Sequence, residues 1–266
     1  MLNKEYFEQG YSYPYTAISE LDARYYFNKY LDVEQTLGLQ NRKTLNLINF
    51  KTHTVFPWCR DLIFNENVLN IVSSIVGNDI LCLSSTFFAK QPRNMAYTSW
   101  HQDHLYYKSS NDDAIASIWL GLTDTTVESG CMAFVKGGDK KEREHVLIPT
   151  DKNMLIKGQT VLQEYATENE YVEMAAGQFS VHHLRSLHSS PPNKSNKYRV
   201  GLVMRYCSPD TKIGMFSNAT AVTCRGENTN PDYWGEDYIP TEDYDKVGME
   251  KIKETIADYR KQQSSS

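Results

Sequence analysis

The chain has 266 residues, 40% hydrophobic and 23% charged, which suits a folded protein with a full apolar core. The net charge of −5 argues against non-specific nucleic-acid binding, and the five scattered cysteines without a CxxC pair argue against a disulfide framework or a zinc ribbon. No apolar run approaches the roughly 18 residues that span a bilayer, and no secretory segment is visible, so we expect a cytoplasmic protein without membrane or nucleic-acid partners.

Helical patterns dominate the first part of the sequence. Residues 18–39 lack Gly and Pro until Gly38, and residues 66–77 carry apolar side chains at helical spacing. Asn65 is a suitable N-cap for the second helix, and Gly77 stands where a C-terminal cap belongs. Both segments are therefore predicted helices.

From about residue 79 the apolar runs become short and rich in β-branched and aromatic residues. The predicted strands are 80–89, 97–101, 115–122, 132–135, 145–148, 171–174, 178–183 and 198–207. The segment 208–240 reads as a loop, and residues 242–262 as a weak helix. Short strands separated by turn residues are typical of an all-β sandwich or barrel.

No internal repeat or linker divides the sequence. We therefore expect one domain over residues 1–266, mainly β with flanking helices. Its parts are a helical region at about 1–78, a β core at about 79–209, and a C-terminal loop and helix at about 210–266.

A histidine and an aspartate stand two residues apart at the end of a predicted strand, in the run Trp100-His101-Gln102-Asp103. Residues i and i+2 of a strand face the same side, so His101 and Asp103 offer one nitrogen and one carboxylate together. They are two thirds of the facial triad that holds non-haem iron(II) and leaves coordination positions open.

The third ligand is expected to be a histidine farther along the chain, and His182, His183 and His188 are the candidates. A 2-oxoglutarate site also needs a cation for the distal carboxylate, and the fork of an arginine suits it. Arg199 follows His188 after a turn-rich loop, which predicts that the two lie on neighbouring antiparallel strands facing one cavity. This selects His188, and Ser190 has the same strand parity.

Several of these motifs together resemble the phytanoyl-CoA dioxygenase family. The residues that carry the resemblance are Trp100-His101-Gln102-Asp103, Ile118-Trp119-Leu120-Gly121-Leu122, Glu128-Ser129-Gly130-Cys131-Met132, Gly177-Gln178-Phe179-Ser180-Val181-His182-His183, and Leu187-His188-Ser189-Ser190-Pro191-Pro192-Asn193-Lys194-Ser195 with Arg199. They run from about residue 79 to 209, about half of the chain.

The resemblance implies a double-stranded β-helix, or jelly roll, with iron(II), 2-oxoglutarate and O2 as reactants. It implies iron ligands at His101, Asp103 and His188, and a 2-oxoglutarate site at Arg199, Ser190 and Lys90. The expected reaction is hydroxylation of a C–H bond with release of succinate and CO2. Some family members are halogenases in which a small residue replaces the carboxylate, so Asp103 favours hydroxylation.

The segment after the metal motif is the predicted substrate side. His104, Tyr107 and Lys108 are the candidate contacts, and Lys108 suits an anionic group. We expect a small polar metabolite or a natural-product intermediate, because no basic cluster for a CoA diphosphate is visible. Desaturation, cyclisation or halogenation at the same iron, or a non-catalytic jelly-roll protein that binds a ligand, are the alternatives.

Overall fold

The computed structural model describes residues 4–37, 50–136, 140–155, 158–162, 168–214 and 216–264. The last two residues of the predicted helix 18–39 lie outside these ranges. The helices are α1 (Lys4–Gln9), α2 (Glu20–Leu37), α3 (Pro57–Ile63), α4 (Glu66–Val76), α5 (His104–Tyr107) and α6 (Lys246–Ser264). Short 3-10 helices are formed by Thr52–Thr54 and Asp112–Ala114.

The strands alternate with short connections through the rest of the described chain. They are β1 (Tyr11–Thr16), β2 (Ile80–Lys90), β3 (Thr98–His101), β4 (Ile115–Gly121), β5 (Met132–Val135), β6 (His145–Leu147), β7 (Gln159–Val161), β8 (Asn169–Val172), β9 (Gln178–His183), β10 (His188–Ser190), β11 (Arg199–Cys207), β12 (Thr220–Arg225) and β13 (Gly235–Glu236).

Two antiparallel sheets form the centre of the structure. In the described ranges, the large sheet has the order β1-β9-β4-β11-β2-β12-β13, and the small sheet has the order β3-β10-β5-β8. All pairings are antiparallel except that of β12 with β13. A separate ribbon joins β6 to β7. The order is non-sequential in both sheets, so residues far apart in the chain lie side by side.

Alternation along the strands separates two buried layers. Ile118, Leu120, Val181, Leu202 and Met204 belong to one apolar cluster with side chains of α2, α3 and α4, so the helices cover the outer face of the large sheet. Residues of opposite parity point the other way. Among them, Trp119 and Val203 pack with Phe134 and Val172 of the small sheet. The polar residues of this inner face lie between the two sheets.

The cap predicted for α4 is present. The side chain of Asn65 accepts a hydrogen bond from Val68 N at 3.1 Å, and Gly77 has the positive φ of 91° that suits a glycine. The prediction was wrong for residues 208–240, where β12 and β13 extend the large sheet. The predicted strands also lacked β1 and β7, and no bounds were given for the strand that carries His188, which is β10. Within the described ranges, no helix has the length and apolar character needed to cross a membrane.

Candidate metal centre

The small sheet brings the predicted metal ligands together. His101 ends β3 and pairs in register with His188, which begins β10. One ligand atom from each of His101, Asp103 and His188 lies within 4.8 Å of the others, and all three side chains are buried. Two imidazoles and one carboxylate are the donor set of a 2-His-1-carboxylate iron(II) site. The residues present therefore fit this metal.

Hydrogen bonds orient both imidazoles toward this cluster. Nδ1 of His101 donates to Ser99 O at 2.8 Å and to His188 O at 3.1 Å. Nδ1 of His188 donates to Ser186 O at 2.9 Å. Since a carbonyl oxygen only accepts, each Nδ1 carries the proton and each Nε2 keeps a lone pair for a metal. Burial, and then the neighbouring His101 ring, lower the pKa of His188 well below its ordinary value, so its imidazole is neutral and ready to coordinate.

The two oxygens of Asp103 have different surroundings. Oδ1 lies 3.4 Å from His101 Nε2. Oδ2 accepts a hydrogen bond of 2.7 Å from Arg205 Nη2. Burial raises the pKa of the Asp103 carboxyl group, but the guanidinium of Arg205 together with the neighbouring histidines outweighs burial and holds this pKa well below its usual range. The carboxylate is therefore charged at neutral pH.

A second group of buried polar side chains lies two residues beyond His188. Nη2 of Arg199 donates to Ser190 Oγ at 2.8 Å, and Nζ of Lys90 donates to the same oxygen at 2.5 Å and to Ser190 O at 3.1 Å. Lys90 and Arg199 are also register partners on β2 and β11.

Both cations of this group are almost inaccessible, at 0% and 1% exposure. Among the described residues, no Asp or Glu forms an ion pair with either one. In the same ranges, Arg199 Nε has no hydrogen-bond partner. Buried charges are normally paired, so Arg199 is suited to bind an anion from outside the chain, and Lys90 adds a second positive charge there when it is protonated.

Trp119 holds the side chain of Arg199 in place. The guanidinium carbon of Arg199 lies 4.8 Å from the centroid of the Trp119 ring. The indole lies directly over Gly201, where any Cβ would overlap it. Glycine at this position therefore makes the room that the stacked Trp119 and Arg199 require.

The three predicted substrate contacts have different environments. His104 is 8% exposed, and neither of its ring nitrogens has a hydrogen-bond partner among the described residues. Its Nε2 lies 3.5 Å from Glu142 Oε1. Tyr107 is buried, with its hydroxyl 3.2 Å from Ser84 Oγ and its ring 5.5 Å from the guanidinium carbon of Arg205. Lys108 is exposed and directly follows α5 as its C-cap, with a φ of 45°.

One expected pairing was wrong. His188 lies in the small sheet, where β10 pairs with β3 and β5, whereas Arg199 lies in the large sheet. The two residues are thus on opposite sheets, and the long side chain of Arg199 spans the gap to Ser190. Strand parity alone cannot distinguish these arrangements, since it fixes the face of a strand but not its partner.

The sequence alone assigns no partner to Arg205, and the selection of His188 as the third ligand gives no role to His182 or His183. The structure places His182 on the inner face, with Nε2 3.5 Å from Asp103 Oδ2. His183 points the other way and lies 3.1 Å from Asp113 Oδ1. The alternation of Ser180, Val181 and His182 was the available signal for the inward direction of His182.

Comparison with known proteins gives one family and a close fold. The family profile described as Phytanoyl-CoA dioxygenase (PhyH) matches residues 21–201. A Stutzerimonas stutzeri protein named "Probable alpha-ketoglutarate-dependent hypophosphite dioxygenase" is 29% identical over 161 residues, 59% of this chain and 56% of its own length. A Caenorhabditis elegans protein named "Phytanoyl-CoA dioxygenase domain-containing protein 1 homolog" is 24% identical over 186 residues, 66% of this chain and 64% of its own. The chain thus spans less than two thirds of these relatives.

The fold comparison covers nearly the whole chain. The solved structure described as "non-heme monooxygenase; ThoJ apo" has a TM-score of 0.82 at 22% identity and covers 98% of this chain and 97% of its own. At that identity the likeness concerns the fold. The predicted double-stranded β-helix with flanking helices is confirmed.

Proposed function

Because the chain belongs to the phytanoyl-CoA dioxygenase family, we propose that it is an iron(II)- and 2-oxoglutarate-dependent oxygenase that hydroxylates a C–H bond of a small polar molecule. One observation carries the proposal. A 2-His-1-carboxylate cluster lies beside a buried arginine that has no carboxylate partner among the described residues. A metal-bound acid with a second, distal carboxylate satisfies both features.

In this proposal, His101, Asp103 and His188 hold iron(II), and Arg199 binds the distal carboxylate of 2-oxoglutarate. Iron(II) supplies the activation of O2, coupled to conversion of 2-oxoglutarate to succinate and CO2. Ser190 lies two residues from His188, a spacing of roughly 7 Å along a strand, which suits a five-carbon diacid that reaches from the metal to Arg199. Lys90 adds a second donor at the distal end.

The other role of these side chains in the proposal is to orient the metal ligands and 2-oxoglutarate and to exclude water. Asp103 supplies fixed negative charge, and hydrogen bonds from Nδ1 to backbone carbonyls fix the orientation of the two imidazoles. Trp119 limits the motion of Arg199 by stacking on its guanidinium. Burial of these groups keeps solvent from the reacting centre, so their electrostatic interactions are strong.

We infer that the substrate carries an anionic or strongly polar group. The buried His104 has two ring nitrogens without a hydrogen-bond partner in the described ranges, and it directly follows Asp103. A substrate oxygen is a suitable partner for one of them. The S. stutzeri relative, named for hypophosphite, supports a small anion. Lys108 and Tyr107 stay predicted substrate contacts, and the contact of Tyr107 with Arg205 gives it a supporting role as well.

The test is anaerobic visible absorption with iron(II) and 2-oxoglutarate. Chelation through the keto and carboxylate oxygens gives a weak metal-to-ligand charge-transfer band. We expect the band in wild type and in the control Arg225→Ala, whose arginine pairs with Glu66 at a partly exposed position. His188→Ala should abolish it and Arg199→Ala should weaken it strongly. Absence of the band in wild type with iron bound contradicts the proposal.

Substrate screening then follows succinate release under O2, with candidate small anions first. The mass of the product distinguishes hydroxylation, which adds one oxygen atom, from desaturation or cyclisation, which removes two hydrogens. Succinate that forms without any change in an added compound shows that this compound is not the substrate.

A further inference from the structure

A row of polar side chains crosses the inner face of the large sheet beside the metal ligands. Register pairs join Ser84 to Arg205, Arg205 to Ser117, and Ser117 to His182, on β2, β11, β4 and β9. Their chain neighbours Ala116, Ile118, Val181, Met204 and Tyr206 are in the apolar cluster on the opposite face. Four adjacent strands thus each contribute one residue to a polar row on the inner face.

The residues of this row that reach Asp103 approach only one of its two carboxylate oxygens, Oδ2. Oδ2 receives the hydrogen bond from Arg205 Nη2 at 2.7 Å and lies 3.5 Å from Ser117 Oγ. His182 Nε2 lies 3.5 Å from the same atom. Oδ1 faces His101 Nε2 at 3.4 Å. The carboxylate is held so that one oxygen points to the sheet and the other to the metal cluster.

The approach to Asp103 is the main polar contact of His182 in the described structure. It is 2% exposed, and in the described ranges neither ring nitrogen makes a hydrogen bond. Its ring lies 4.8 Å from that of His188 and 5.4 Å from that of Phe134. An imidazole left unsatisfied in such a place costs free energy that an apolar side chain avoids, so contact with Asp103 is its distinguishing interaction.

We propose that Arg205 and His182 are positioning residues that keep Asp103 a one-oxygen ligand. A carboxylate can bind a metal through one or both oxygens. A second oxygen from Asp103 would occupy a coordination position that 2-oxoglutarate or O2 requires. The hydrogen bond from Arg205 and the approach of His182 engage Oδ2 and prevent this. The inference rests on the proposed function and explains how coordination positions on the metal would stay free for 2-oxoglutarate and O2.

Binding measurements separate this role from general support of the site. Iron(II) affinity is measured anaerobically by equilibrium dialysis, and 2-oxoglutarate affinity by titration of the charge-transfer band. In Arg205→Gln we expect the Kd for 2-oxoglutarate to rise about tenfold, the lower end of what loss of a metal ligand's hydrogen-bond partner costs in metal affinity or activity. The Kd for iron(II) should change clearly less, because the freed Oδ2 can join the metal. Arg225→Gln is the matched control and should bind both as wild type.

The conservative variants extend the test. Arg205→Lys keeps the charge and should lie between wild type and Arg205→Gln, and it carries the test if Arg205→Gln does not fold by circular dichroism. His182→Phe should weaken 2-oxoglutarate binding in the same direction. His182→Gln should restore part of it, because the amide nitrogen of glutamine can donate to Asp103 Oδ2, which Nε2 of His182 approaches at 3.5 Å.

Three results would overturn the inference. If Arg205 and His182 variants bind 2-oxoglutarate as wild type does, Oδ2 needs no restraint, and the oxygenase proposal stands alone. If they lose iron(II) and 2-oxoglutarate in equal proportion, the two residues only maintain the site. If wild type itself binds iron(II) without chelating 2-oxoglutarate, both this inference and the proposed function fail.

Discussion

Two buried networks in this protein have the same components, an aspartate held by one long cation and one imidazole. In the first, Lys51 Nζ donates to both oxygens of Asp237 at 2.8 Å, and His53 lies between Asp237 Oδ2 at 3.0 Å and Ser85 Oγ at 2.7 Å. We call this the Asp237 network. In the second, the Asp103 network, Arg205 and His182 take the places of the lysine and the histidine.

The networks differ in how fully their polar atoms are satisfied. Both ring nitrogens of His53 have hydrogen-bond partners, whereas those of His182 have none among the described residues. The Asp237 network joins the segment after α2 to β2 and to the residue that follows β13, so it fastens distant parts of the chain. Burial and charge are thus common to both networks, and the unsatisfied nitrogens of His182 distinguish the Asp103 network.

The largest expected effect breaks the Asp237 network. Asp237→Ala leaves Lys51, buried at 3% side-chain exposure, without its carboxylate partner, and breaking a buried ion pair in this way costs about 3–5 kcal/mol of unfolding free energy. Urea denaturation followed by circular dichroism measures it. The control Asp113→Ala removes a carboxylate whose side chain is 81% exposed and should cost less than about 1 kcal/mol. Equal losses of unfolding free energy in the two variants would show that the Asp237 network does not stabilise the fold.

The second prediction concerns the thermal stabilisation that 2-oxoglutarate gives the protein when it binds beside the Asp103 network. A ligand that binds only the folded protein stabilises it by about 2.7 kcal/mol at a concentration of 100 times its Kd. We expect 2-oxoglutarate, with iron(II) present and O2 absent, to raise the melting temperature of wild type. In Arg199→Ala the shift should vanish at the same concentration. A full shift in that variant would remove Arg199 from the anion site.

A matched pair of substitutions tests the comparison directly. His53→Phe removes one buried hydrogen bond from Ser85 Oγ and one from Asp237 Oδ2, which costs about 1–3 kcal/mol. His182→Phe removes nitrogens that have no hydrogen bond in the described structure and places a phenyl ring beside Phe134. We expect its cost to be below that of His53→Phe, measured by urea denaturation of the metal-free protein. If His182→Phe is the more destabilising variant, His182 is a structural residue.

The features that sequence reasoning predicted well are those set by local periodicity. Alternation along a strand placed His101 and Asp103 on one side, and helical spacing with two caps defined α4. Pairing between distant strands is not written in such patterns. The hydrogen bond from Arg205 to Asp103 joins residues 102 positions apart, and the pairing of β10 with β3 put His188 on the opposite sheet from Arg199. Strand β12 was missed because its six residues lie among turn-forming residues that dominate the local composition.

The smallest predicted effect is the uptake of a proton when 2-oxoglutarate binds. Burial, and then the charge of Arg199, lower the pKa of Lys90 to about 6. The guanidinium stays charged, so Lys90 is the cation of the pair that is mostly neutral at pH 7.5. A carboxylate placed beside it favours the charged form and raises this pKa. Binding of 2-oxoglutarate should therefore take up as much as one proton at pH 7.5, and the affinity for 2-oxoglutarate should fall as pH rises above about 6.

Calorimetry of the anaerobic iron(II) protein in phosphate and in Tris measures this proton uptake from the difference in apparent binding enthalpy between the two buffers. Lys90→Met should abolish that difference. A binding enthalpy that is the same in both buffers for wild type would mean that Lys90 keeps one protonation state throughout, and that Arg199 alone provides the charge for the distal carboxylate.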